Sequence, residues 1–124
     1  MIVGIGVDVV DIARFERALQ RTPKLTSRLF SESEQLKEGK PRPLRSLAGR
    51  FAAKEALIKA LGGSSGVTWH DMRVVSDALG NPSLELHNST RDLADRRGIT
   101  SVHLSMSHDA GLAIAYVIAE ATRE

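Results

Sequence analysis

The sequence contains no cysteine. That excludes a disulfide scaffold, a thiolate metal site and a cysteine nucleophile. Aromatic residues make up only 4%, too few for a surface that stacks successive bases of a single-stranded nucleic acid. The longest apolar run, Leu112 to Ala119, falls well short of the roughly 20 residues a membrane-spanning helix needs. The first residues lack the basic segment of a secretory leader. No glycine-framed serine marks a nucleophile elbow, and no two histidines have the spacing of zinc ligands. A soluble cytoplasmic protein that binds neither membrane nor nucleic acid is the expectation.

What is present is ordinary in amount and uneven in distribution. Hydrophobic residues make up 42% and charged residues 26% of 124, which suits one globular domain over residues 1–124. The net charge is only +2, yet residues 1–60 carry +5 and residues 61–124 carry −3. Such asymmetry points to a basic face for an anionic partner.

Ile2 to Val10 is a β-rich, nearly continuous apolar run that predicts a buried strand. Gly4 and Gly6 suggest a close backbone approach; with Val at position 9 they do not complete a dinucleotide-binding fingerprint. Asp8 stands out, because a carboxylate among apolar residues needs a partner. It is either an acid at the strand's exit or a ligand. Asp11 predicts the cap of a helix to about Gln20, with Ile12, Phe15 and Leu19 inward. Arg14, Arg17 and Arg21 line its outside, followed by Lys24 and Arg28. They form either a solvated basic face or a docking surface. Ser31 with Glu34 has the spacing of a capping box. Gly39 to Pro43 reads as a basic, proline-rich linker.

Leu44 to Leu61 predicts one long helix, with Leu44, Leu47, Phe51, Ile58 and Leu61 on its inner face and Gly62 as its stop. Glu55 and Lys59 are one turn apart, as are Arg50 and Lys54. Read alone, Glu55 and Lys59 form a surface ion pair; the alternative is a ligand site, with the alanines leaving clearance for a bound molecule. The loop Gly62 to Gly66 follows a helix C-terminus and lacks the Walker spacing, so it predicts a mobile rim. Strands are expected over Met72–Ser76 and Ser83–Leu86 around the turn Gly80-Asn81-Pro82, then a helix from Asn88 or Ser89 to Arg97. Two closing strands, Val102–His108 and Leu112–Ala119, flank a turn at Asp109-Ala110-Gly111. Along the first, His103, Ser105 and Ser107 point away from Val102, Leu104 and Met106. The order argues an α+β fold with a largely antiparallel sheet. Asp8, Glu55 with Lys59, and His108 with Ser107 are polar groups in apolar settings on three separate segments. Two carboxylates and a lysine are what cation-assisted phosphoryl chemistry uses.

Gly6-Val7-Asp8-Val9 with Asp11-Ile12, and Phe51-Ala52-Ala53-Lys54-Glu55-Ala56-Leu57-Ile58-Lys59, resemble the two signatures of the holo-[acyl-carrier-protein] synthases, the short class of 4'-phosphopantetheinyl transferases. Trp69 with Asp71, Gly80-Asn81-Pro82 and Val102 to His108 extend the resemblance over nearly the whole chain; Asn81 departs from it where the family often has a basic residue. The resemblance implies the 4'-phosphopantetheinyl transferase fold, with a long central helix, in a homotrimer whose sites lie between subunits. It implies Mg²⁺-dependent transfer of phosphopantetheine from coenzyme A to a serine of an apo acyl carrier protein. By the same resemblance Asp8 and Glu55 hold the metal, Lys59 meets the pyrophosphate and Glu55 is the general base. Arg50, Lys54, His108 and Ser107 are candidates for the nucleotide, and Asp109 is a lesser one for a water or metal. Arg14, Arg17, Arg21, Lys24 and Arg28 face the carrier protein. Against this stand a non-enzymatic basic RNA- or protein-binding module and a structural trimer with a vestigial site.

Overall fold

The computed structural model describes residues 1–122. The chain opens with strand β1 (Ile2–Asp11) and helix α1 (Ile12–Arg21). Two short helices follow, α2 (Leu25–Leu29) and α3 (Glu32–Gln35), then the strand pair β2 (Leu36–Lys37) and β3 (Lys40–Pro41). The long helix α4 (Leu44–Ala60) leads to the hairpin of β4 (Met72–Ser76) and β5 (Pro82–Leu86). Helix α5 (Asn88–Arg96) and strands β6 (Ser101–Asp109) and β7 (Leu112–Glu120) close the described chain. The predicted α+β class and largely antiparallel sheet are what the structure has: β7 lies between β1 and β6 and pairs antiparallel with both.

Local chemistry accounts for several boundaries. Asp11 caps α1, its Oδ1 accepting from the Arg14 N–H at 3.1 Å. Ser31 and Glu34 complete the expected capping box. Gly62, at φ 88°, terminates α4. Ala110 and Gly111 both take positive φ at the β6–β7 turn, the geometry that matches strand twist in tight hairpins. The expected linker at Gly39–Pro43 instead contains β3, because Lys40 and Pro41 pair back onto Lys37 and Leu36.

The face of α4 that meets the sheet is not the predicted one. Ala48, Ala52, Ala53, Ala56, Leu57 and Ala60 are buried, whereas Leu44, Leu47, Phe51 and Ile58 are half-buried around the flanks. Phe51 stacks on Phe15 at 5.2 Å between ring centres. The alanines give no clearance to a ligand; they let β1 come close. An added Cβ on Gly6 would lie 1.8 Å from the Ala56 carbonyl oxygen, and one on Gly4 would lie 1.9 Å from that of Ala60. Bulk comes from Phe30, Leu57, Leu61 and Val117, each worth about 2 kcal/mol in burial.

β1 also departs from expectation. Only its helix-facing side is covered: Ile2, Ile5 and Val9 are 55%, 59% and 54% exposed. In the register, Val7 stands beside Tyr116, which in turn stands beside Ser105, and Val9 beside Ile114, which stands beside Ser107. One side of the sheet thus carries the helix and the other an open apolar surface.

Candidate active site

Alternation along β1 places Asp8 on the same side as Gly4 and Gly6, facing α4. The close glycine contact therefore delivers a carboxylate to the helix flank. Lys59, in the last turn of α4, reaches across to it. Its Nζ donates to the Val7 carbonyl oxygen at 2.9 Å and to Asp8 Oδ1 at 3.2 Å. The Asp8 side chain is 18% exposed and that of Lys59 is 54% exposed, so the lysine keeps access to solvent. The expected partner of Lys59 was Glu55; the ion pair forms with Asp8 instead. Glu55 is half-buried beside them. Its carboxyl is pushed above the ordinary carboxylate range, first by burial and then by repulsion from Asp8, with Lys59 opposing.

This donor set suits a hard divalent cation. Two carboxylates could supply oxygen ligands, and each would gain if a second positive charge joined Lys59. Among the described residues no group of three or more His, Cys, Asp or Glu converges. Two carboxylates leave ligand positions for water and for oxygens of a substrate, as is usual for Mg²⁺.

A groove of about 1030 Å³ opens towards the N-terminal end of α4. Arg42, Arg45, Ser46, Arg50 and His108 line it, between Leu36–Glu38 on one side and Ser76–Gly80 on the other. His108 Nε2 donates to the Arg45 carbonyl oxygen at 3.2 Å. Gly49 makes room for it: an added Cβ there would lie 2.7 Å from Met106 Cε and 3.1 Å from His108 Nε2. Burial, together with the neighbouring Arg42, pushes the Arg50 guanidinium down to about 10, so it stays charged at neutral pH. Arg42 and Arg45 were not singled out from the sequence, although the basic, proline-flanked stretch around them was the available signal.

Three other expectations land elsewhere. Lys54 is wholly buried and bonded to Glu34 at 2.8 Å, so it cannot face a nucleotide. Ser107 is exposed on the open side of the sheet, opposite the side that carries His108, because successive strand residues alternate. Asp109 is exposed at the β6–β7 turn. By contrast, Arg14, Arg17, Arg21, Lys24 and Arg28 are all exposed, the first three on α1 and Arg28 on α2.

Comparison with known proteins bears on the family and the fold. Residues 4–117 match the model of the 4'-phosphopantetheinyl transferase superfamily. The holo-[acyl-carrier-protein] synthase of Leifsonia xyli subsp. xyli is 59% identical, over 97% of this chain and 98% of its own. The crystal structure of the holo-[acyl-carrier-protein] synthase from Neisseria meningitidis superposes with a TM-score of 0.88 at 34% identity, covering 97% and 99% of the two chains. That of the Helicobacter pylori enzyme, in complex with coenzyme A, gives 0.80 at 36%, covering 94% and 99%.

Proposed function

Because the chain belongs to the 4'-phosphopantetheinyl transferase superfamily, as one of its holo-[acyl-carrier-protein] synthases, we propose that it transfers 4'-phosphopantetheine from coenzyme A to a serine of an apo acyl carrier protein, with Mg²⁺, releasing adenosine 3',5'-bisphosphate. The observation that carries this reading is the meeting of Asp8, Glu55 and Lys59 where β1 lies against α4. Mg²⁺ held by Asp8 and Glu55 would neutralise charge on the pyrophosphate.

The chain's own groups supply the rest. Lys59 spends two protons on Val7 and Asp8 and keeps one N–H for a pyrophosphate oxygen, where charge grows as the bond to the leaving nucleotide breaks. Glu55, with its raised proton affinity, accepts the proton of the carrier serine as that oxygen bonds to the β-phosphorus. The basic groove with Arg42, Arg45, Arg50 and His108 suits the nucleotide end of coenzyme A. The exposed arginines of α1 suit an acidic carrier protein, raising its rate of encounter. The open apolar side of the sheet, with Ile5, Val7 and Tyr116 exposed, suits assembly with copies of the same chain as a homotrimer. Cytoplasmic residence goes with this role; among the described residues no helix is long and apolar enough to cross a membrane.

Chromatography of the nucleotide product tests the proposal. Adenosine 3',5'-bisphosphate should appear only when coenzyme A, Mg²⁺ and apo carrier protein are all present. Release without the carrier would mean hydrolysis and would contradict transfer.

A further inference from the structure

The proposed reaction leaves one group of charges on α4 without a task. Lys54 adjoins Glu55 in the chain but points into the core, with none of its side chain exposed. Its ammonium spends all three protons: on the Leu29 carbonyl oxygen at 2.7 Å, Glu34 Oε1 at 2.8 Å and the Trp69 carbonyl oxygen at 3.0 Å. It also lies 5.1 Å from the centre of the Phe30 ring. Glu34 is buried too. Its Oε1 accepts from the N–H and hydroxyl of Ser31 at 3.0 and 3.2 Å, and its Oε2 from the Val74 N–H at 3.2 Å.

A buried ion pair is a weak way to stabilise a fold, since apolar side chains of equal volume often do as well. Here its hydrogen bonds tie α4 to Leu29, Trp69 and, through Glu34, Val74. α3 runs directly into Leu36–Glu38, one wall of the basic groove; Val74 lies two residues before Ser76, where the other wall begins. Arg50, one turn before Lys54, lines the groove and donates from Nη1 to the Val74 carbonyl oxygen at 3.2 Å. The Nε atoms of Arg42 and Arg50 are buried and have no hydrogen-bond partner among the described residues. Two such donors beside one groove suit an anion. Two guanidinium groups this close also repel each other, and Glu34 is the negative charge that offsets them.

We propose that Glu34 and Lys54 are positioning residues: the buried pair holds Arg42 and Arg50, and both walls of the groove, in the arrangement that recognises the 3'-phosphate of the donor nucleotide. This rests on the reading of coenzyme A as donor. Neither residue touches the substrate. Lys54 keeps Glu34 from being drawn into a direct bond with Arg42 or Arg50, and Glu34 keeps the two guanidinium groups side by side.

The test compares coenzyme A with 3'-dephospho-coenzyme A as donors to apo carrier protein, measuring kcat and KM for each. The proteins are wild type, Lys54→Met, and Lys54→Met combined with Glu34→Gln. Wild type should have the lower KM for coenzyme A. In both variants that KM should rise about tenfold, while the KM for the dephospho donor and both kcat values stay within about twofold. The double variant removes both charges of the pair and does not strand Glu34 in the core, so it provides a folded protein where the single variant does not. Variants that keep the wild-type ratio of the two KM values, or lose activity on both donors alike, would overturn the proposal. So would failure of both variants to fold, or a wild type indifferent to the 3'-phosphate. A wild type that transfers from neither donor would instead overturn the coenzyme A reading.

Discussion

Glu55 is acted on by two effects of the same sign and one opposing. Partial burial and the charge of Asp8 raise its proton affinity, and Lys59 lowers it. Its proton affinity is therefore higher in the folded than in the unfolded chain, so the folded state binds more protons between the ordinary carboxylate range and the raised value. Stability falls as pH rises through that window. Without divalent cations, Glu55→Gln should gain in melting temperature relative to wild type between pH 5 and pH 7.5, as read by thermal unfolding at the two pH values. Mg²⁺ should raise the wild-type midpoint at the higher pH and leave that of Asp8→Ala unchanged. Asp8→Ala should also abolish Mg²⁺-dependent transfer with an unchanged circular dichroism spectrum; full activity would remove Asp8 from the metal site. Asp8 was legible in the sequence because a charge inside an apolar β run is anomalous on local grounds alone. Lys54 was not. Its partner Glu34 is 20 residues away and reads locally as a capping-box acid, a role it also fills.

At the scale of elements, the site exists because β1 and α4 touch through glycine and alanine. Gly6→Ala would place a Cβ 1.8 Å from the Ala56 carbonyl oxygen, so the strand must move away and carry Asp8 with it. The expected loss is at least ~2 kcal/mol in stability by denaturant titration, together with activity. Gly39→Ala, whose Cβ would meet nothing within 4 Å, should leave activity intact despite its strained φ of 78°. The existence and ends of α4 were readable from its apolar spacing and from Gly62. Its buried face was not, because alanines on several sides leave little contrast between faces. Burial was then decided by the strand it meets, and that contact lies about 50 residues away in the chain.

On the scale of the whole molecule, the sheet has one side on α4 and one side open. Ile5 and Val7 on β1 and Tyr116 on β7 are exposed there, beyond the scattered apolar residues a monomer usually shows. If the proposed homotrimer forms through this face, Val7→Glu should shift the protein to a monomer by light scattering and reduce transfer; an unchanged mass would contradict assembly through it. The apolar character of β1 was plain in the sequence, but a strand covered by its own chain and one covered by another copy read alike. The proposed partner of the exposed basic residues of α1 is the carrier protein. Arg14→Glu with Arg21→Glu should raise the KM for carrier protein by about tenfold and leave that for coenzyme A unchanged, whereas an equal rise in both would make the helix structural. The central claim is a covalent transfer, and the intact mass of the carrier protein reads it directly. After incubation with coenzyme A and Mg²⁺, the apo carrier should gain one phosphopantetheine with the wild-type chain and none with Glu55→Gln. A carrier whose mass is unchanged by the wild type, or one modified equally by the variant, would contradict the account.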